Sequence, residues 1–461
     1  MKGPKTIYIC SECSYKSAKW LGKCPGCGSW NTMEETVEAA AVAPTASPRR
    51  RVGLLAADER GAERLSELTV PDFMRTATGM GELDRVLGGG IVSGSVVLLT
   101  GEPGIGKSTL LLQISDILCR NRRVLYISGE ESRGQIKLRA QRLGTVGDEL
   151  YIYTDPCVEK IIEESMKIKP DILIVDSIQT VYSDRVSSSS GSVTQVRETA
   201  AALIAYAKSS DTSIILVGHV NKEGSIAGPK VLEHMVDAVL CFEGEKQMAY
   251  RVIRAAKNRF GSTNEIGVFE MADRGLRCVE NPSEMLLSGR PDNCPGTCVA
   301  CVIEGTRPIL AEVQALVAPT NYNAARRSNG IDYNRAAMLL AVLEKRSGLP
   351  VGSCDSYINV IGGLSLEEPA ADLATSLAVA SSYLDRPLGA DLAAIGEVGL
   401  SGEIRSVSAL NQRLSEIHRL GFKRCVIPAH VRDELGKYDG LELIPVKSIS
   451  EAIAAVLPRH K

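Results

Sequence analysis

The chain has 461 residues, enough for two or three domains that each bury a core of their own. Its 53 Lys and Arg against 55 Asp and Glu leave a formal charge of −2, so the chain is no polycation and any nucleic-acid surface has to be a local patch. Only 4% of residues are aromatic, which argues against binding by many stacked bases, and no apolar run reaches membrane-spanning length, so a membrane partner is not expected.

The N-terminus meets cysteine before a secretory leader could form, and thirteen cysteines is an odd number. A cytoplasmic protein with thiols or metal ligands rather than bridges is expected. Residues 1–33 hold Cys10, Cys13, Cys24 and Cys27 in the spacing C-x2-C-x10-C-x2-C. Each pair turns two thiolates toward one ion, and two pairs complete a tetrahedron with no open position. The expectation is a structural zinc finger, although the spacing alone also admits iron. Lys16, Lys19, Trp20 and Lys23 lie between the pairs and form either a contact for DNA or a partner, or a solvated face. Residues 34–70 lack a stable apolar period and read as linker.

Residues 71–285 alternate short apolar runs with amphipathic stretches, the pattern of an α/β domain. The runs "SVVLLT", "RVLYIS", "DILIVDS" and "SIILVGH" predict buried parallel strands. The first leads into "GEPGIGKST", a G-x4-G-K-[ST] loop between strand and helix. There Gly101, Gly104 and Gly106 let backbone amides wrap phosphates, Lys107 faces the β- and γ-phosphates, and Ser108 and Thr109 open the helix, Ser108 offering a hydroxyl to Mg²⁺. Asp176 ends "DILIVD" and is the second candidate for Mg²⁺; Glu130 and Glu131 are both candidates to polarise an attacking water. His219 ends another strand and is either a γ-phosphate sensor or a plain loop histidine. Two glycine- and serine-rich stretches, 183–193 and 221–230, carry Arg185, Lys222 and Lys230. "RVIRAAKNRFG" runs from an alternating strand into Lys257, Asn258, Arg259, Phe260 and Gly261.

Residues 286–461 form a second α/β segment with the runs "YINVIGG", "AAIGEVGL" and "RCVIPA". Cys294, Cys298 and Cys301 near its start read as buried thiols, because strand alternation would send them to opposite faces.

The four-cysteine motif, "GEPGIGKST", "LIVDSIQT", "GHVNKEG" and "KNRFG" together resemble the RadA/Sms family of recombination and repair ATPases over essentially the full length. The resemblance implies a RecA-like P-loop core, an N-terminal zinc ribbon and a C-terminal Lon-protease-like α/β domain. It places Glu130 at the catalytic glutamate of RecA, and His219 where RecA has a phosphate-sensing glutamine. It further implies ATP, Mg²⁺ and Zn²⁺ as cofactors and a homo-oligomeric, hexameric ring. That ring would act as a DNA-dependent ATPase and helicase on single-stranded and branched DNA, with RecA as partner, in recombination and repair. In such a ring Lys257 and Arg259 would reach the γ-phosphate held by the neighbouring subunit, Phe260 would anchor the segment and Gly261 would permit the turn. The serine-rich loops would line the DNA channel. In the Lon-like segment the nucleophile position falls on Ala370 and the lysine position on Asn411, with Ser365 and Ser376 out of place, so a catalytically dead scaffold is expected. An ATP-dependent protease and a nucleotide-switched binding module are the competing readings.

Overall fold

The computed structural model describes residues 5–10, 16–25, 30, 32–38, 74–145, 147–219, 229–244, 250–320, 324–434 and 436–457. The chain folds as two compact units, one of residues 1–246, 250–263 and 269–278, the other of 247–249, 264–268 and 279–461.

At the N-terminus β1 (Lys5–Cys10) pairs antiparallel with β2 (Lys16–Ser17) and β3 (Met33–Glu38). The third strand continues to Glu38, into the stretch read as linker. Cys10 and Cys24 are 1% exposed and share a small cluster with Met33. Farther along, β4 (Arg75–Thr76) and β5 (Ile91–Val92) form a short pair around α1 (Gly81–Leu87).

A nine-stranded sheet is built of β6 (Val96–Gly101), β7 (Val124–Ser128), β8 (Leu150–Tyr153), β9 (Ile172–Asp176), β10 (Ser213–His219), β11 (Ala238–Glu243), β12 (Tyr250–Asn258), β13 (Ile266–Ala272) and β14 (Gly275–Cys278). They lie in the order β14-β13-β12-β11-β6-β10-β9-β7-β8. The central strands are parallel, and β6, β7 and β9 are buried along their whole length, as the unbroken apolar runs predict. The helices α2 (Lys107–Leu118), α3 (Arg133–Leu143), α4 (Val158–Ile168), α5 (Val193–Ser210) and the short α6 (Pro229–Glu233) connect them. Two apolar clusters hold the unit. One sets Leu110, Leu111 and Ile114 of α2 with Val97, Tyr126 and Phe269; the other sets Val196 and Leu203 of α5 with Leu98, Val175 and Leu216. This topology carries the loops after β6, β7, β9 and β10 to one edge of the sheet, the place where open α/β sheets bind ligands.

The second unit contains α7 (Pro282–Leu287), β15 (Thr297–Glu304), β16 (Arg307–Pro319), β17 (Arg326–Asn329), α8 (Tyr333–Ser347), β18 (Cys354–Val360) and α9 (Asp372–Leu384). After these come β19 (Leu392–Ala394), β20 (Glu397–Val398), β21 (Ile404–Arg405), α10 (Leu410–Arg419), β22 (Arg424–Pro428), β23 (Glu442–Val446) and α11 (Ile449–Val456). Its sheet runs β17-β18-β16-β15-β19-β22-β23. Cys298 and Cys301 are fully buried on β15, and burial pushes each thiol up to about 12. Cys294 corrects the expectation made for the three together. It is exposed, because it precedes the strand in a turn rather than joining its alternation.

Candidate nucleotide site

Gly101, Gly104 and Gly106 have φ of 155°, 81° and 122°, a region that side-chain-bearing residues avoid. A Cβ on Gly101 would stand 2.6 Å from the Phe242 carbonyl oxygen, so this strand end tolerates only hydrogen there. Helix α2 starts at Gly106 with no side-chain cap and no acidic residue in its first turn. Its N–H groups and the positive end of its dipole are therefore not neutralised by the chain itself. Lys107 is 4% exposed and donates to the carbonyl oxygens of Gly101 (2.7 Å) and Glu102 (2.9 Å). Burial lowers its ammonium from 10.5 to about 8, against the opposing pull of Asp176, Glu130 and Glu102. Ser108 and Thr109 are half-buried on the first turn of α2.

Strand register lines up the other candidates along the same edge. His219 pairs with Gly101 across β10 and β6, and Asp176 pairs with Ser128 across β9 and β7. Asp176 is 8% exposed and accepts a 2.6 Å hydrogen bond from the Tyr126 hydroxyl. Burial, and after it the charge of Asp176, raises that phenol well above its ordinary value. The Glu130 carboxylate, about half exposed, accepts from the Ser177 hydroxyl at 2.7 Å and lies 3.3 Å from His219 Nε2, both through Oε1. His219 Nδ1 is buried with no hydrogen-bond partner among the described residues. Glu131 turns away: it forms an ion pair with Arg139, and its backbone N–H donates to Ser128 Oγ. The structure gives the two glutamates different partners, and Glu130, which the family resemblance also aligns with the catalytic glutamate, is the one gathered with Asp176, Lys107 and His219. Tyr126 and Ser177 were not singled out in the sequence. Ser177 follows Asp176 directly, and Tyr126 shares a strand face with Ser128, but only the pairing of β7 with β9 brings them to the carboxylates.

Lys257 and Arg259 stand at the opposite edge of the sheet. Lys257 pairs with Val239, which pairs with Leu98 of β6, while Gly101 pairs with Phe242. The Arg259 N–H donates to the Asp237 carbonyl, the Asp237 N–H to Val96, and the Val96 N–H to Asp237 Oδ2. At about 3.3 Å per residue, the five steps from Val96 to Gly101 put roughly 16 Å of sheet between Arg259 and the phosphate loop of its own chain. Lys257 Nζ donates to the carbonyl oxygens of Glu233 (2.8 Å), the last residue of α6, and Val236 (2.9 Å), just past it. Arg259 pairs with Asp237 at 3.0 Å. Asn258 Nδ2 donates to the Val86 carbonyl, and Arg75 to that of Phe260, whose side chain is half-buried. The role of Gly261 differs from expectation. Its φ lies outside the left-handed region; what it provides is clearance, since a Cβ there would meet Asn258 Nδ2 at 3.0 Å and Gly88 Cα at 3.1 Å.

Of the DNA candidates, Arg185 is exposed and lies 3.5 Å from Glu159, Lys230 is exposed on α6, and Lys222 lies outside the described residues. Cys10 and Cys24 come together at the ribbon, which fits a thiolate metal site; Cys13 and Cys27 lie outside the described residues. In the second unit Ala370 is fully buried in a cluster with Leu410 and Leu414, and Asn411 accepts from Tyr438 Oη. Ser376 is buried with no hydrogen-bond partner for its hydroxyl among the described residues, and Ser365 is exposed. Arg413 is fully buried in this region; it pairs with Glu368 and donates to the Cys301 carbonyl.

Among the described residues no helix is long and apolar enough to cross a membrane. Residues 62–225 match the AAA domain family, residues 8–35 the rubredoxin metal binding domain, and residues 357–459 the Lon protease (S16) C-terminal proteolytic domain. A KaiC-like protein of known structure from Pyrococcus horikoshii aligns at 19% identity and a TM-score of 0.38, over 45% of this chain and 99% of that one. The DNA repair protein RadA of Listeria monocytogenes is 49% identical over 455 residues, which cover 98% of each chain. That of Bacillus subtilis is 49% identical over 463 residues, 99% of this chain and 100% of the relative. The fold is a RecA-like P-loop core with an N-terminal zinc ribbon and a C-terminal Lon-type domain, and with identity of this extent along whole chains, this protein belongs to the family of the bacterial DNA repair protein RadA.

Proposed function

We propose that this chain is a DNA-stimulated ATPase that assembles into a hexameric ring and moves along single-stranded DNA in recombination intermediates. It would extend joints by branch migration during repair, beside a RecA-type recombinase. The observation that carries this reading is the placement of Lys257 and Arg259 across the sheet from the phosphate loop. Both side chains are anchored away from the phosphate loop of their own chain, which supports a pocket completed by a neighbour.

In that pocket the amides of residues 104–109 and Lys107 hold the β- and γ-phosphates. Ser108 and Asp176 would hold Mg²⁺, which when bound neutralises charge on the phosphate oxygens. Ser177 and His219 both engage Oε1 of Glu130, which leaves Oε2 to take the proton of the attacking water. Lys257 and Arg259 from the next protomer stabilise charge as it develops, an effect of about 10³–10⁵ in rate for arginine fingers. Arg185, Lys222 and Lys230 would neutralise DNA phosphates without reading sequence. Cys10, Cys13, Cys24 and Cys27 would hold a structural Zn²⁺.

The protease reading lacks support at its reacting positions: Ala370 offers a methyl group and Asn411 a neutral amide, so neither supplies the serine nucleophile or the lysine base that the chemistry needs. The decisive experiment measures ATP turnover and mass by light scattering together, with single-stranded DNA present. Turnover should rise with assembly, and Lys257→Ala should assemble yet lose hydrolysis. Undiminished turnover by a lone protomer would sink the proposal.

A further inference from the structure

Tyr126 is out of character with its strand. Its neighbours Val124, Leu125 and Ile127 are purely apolar, and it lies 2% exposed between Ile152 and Ile174 on the flanking strands. A phenylalanine would fill the same volume without carrying a hydroxyl out of water, a transfer that costs free energy unless a partner is found. The partner is specific: the hydroxyl donates to Asp176 Oδ2 at 2.6 Å. A carboxylate at a strand end keeps two side-chain torsions to settle. The bond commits Oδ2 to the phenol and leaves Oδ1 for a ligand at the strand end.

We propose that Tyr126 is a positioning residue for the divalent cation of the nucleotide: its hydroxyl orients the Asp176 carboxylate, as outer-shell hydrogen bonds orient metal ligands elsewhere. The inference rests on the reading of Asp176 as a magnesium-site carboxylate. It concerns no contact with nucleotide and predicts no change in cation-free binding.

The test titrates MgCl₂ against the equilibrium binding of a fluorescent ATP analogue to the full chain. Tyr126→Phe should leave binding without Mg²⁺ unchanged and raise the half-saturating Mg²⁺ concentration by about tenfold, within the range seen when outer-shell partners of metal ligands are removed. Asp176→Asn should abolish the Mg²⁺-dependent gain, and adding Tyr126→Phe to it should produce no further change. If Asp176→Asn raises the Mg²⁺ requirement but Tyr126→Phe does not, the Tyr126 proposal alone is wrong. If Asp176→Asn leaves the requirement untouched, the magnesium-site reading beneath it is wrong as well. A Tyr126→Phe protein that weakens binding equally with and without Mg²⁺, or that melts below the assay temperature, would assign the residue to core packing and overturn the proposal.

Discussion

Lys107 is held by two backbone carbonyls in a space that disfavours its charge, and this has a measurable sign. An unfolded chain carries this lysine near 10.5, the folded one near 8. Between those values the unfolded state binds the extra proton, so folding stability rises with pH across that window, and below it the penalty of burying the ammonium is constant. Phosphate binding favours the charged form. Nucleotide binding should therefore take up almost no proton at about pH 7 and approach one per site at about pH 9. Calorimetry in two buffers of different ionisation enthalpy reads this directly; no uptake at the higher pH would show that the ammonium is not depressed. The paired glutamates give a second contrast. Glu130→Gln should keep nucleotide binding and lose about 10²–10⁴ in turnover, the usual worth of a general base. Glu131→Gln removes a part-exposed ion pair and should leave turnover within about twofold. At this scale the phosphate loop was legible because its chemistry is contiguous. The partners of the two glutamates were not, because they depend on Arg139 eight residues on and on Ser177 just past the end of β9.

Elements were legible where an apolar run had one possible partner period. The four runs became four adjacent parallel strands, with Asp176 and His219 ending two of them as read. The ribbon was legible as spacing but not in extent, since Met33–Glu38 lacks an apolar pattern and becomes a strand only by pairing with β1. So few residues cannot bury a core, and metal binding should supply about 10–16 kcal/mol of folding free energy. Cys10→Ser or Cys24→Ser should lower metal content below one per chain and make residues 5–38 sensitive to protease, while melting of the P-loop core is unchanged. A mutant ribbon that stays protected without metal would contradict this. The turn after β12 was legible as cationic, but its anchoring was not. Lys257 caps carbonyls at the C-terminal end of α6 and Arg259 leans on Asp237, contacts set by the antiparallel return of β12 along β11.

For the molecule as a whole, the second unit keeps a Lon-type segment in which the family resemblance aligns Ala370 and Asn411 with the reacting positions. That alignment is read from sequence; the pair between buried Arg413 and part-exposed Glu368 was not, because its members lie 45 residues apart. The separation of Lys257 from Gly101 across the sheet carries a genetic consequence. If each working pocket borrows its cations, two differently crippled proteins can repair one another. Lys107→Ala still lends cations, and Lys257→Ala still offers a sound phosphate loop. Neither should hydrolyse ATP alone, yet blended mosaics should recover a fraction of wild-type turnover, about one quarter of the pockets in an equal mixture if subunits assort at random. Complementation at that level, measured after mixing unassembled protomers, is the signature of a shared pocket; silence from the blend would mean each protein keeps its chemistry to itself.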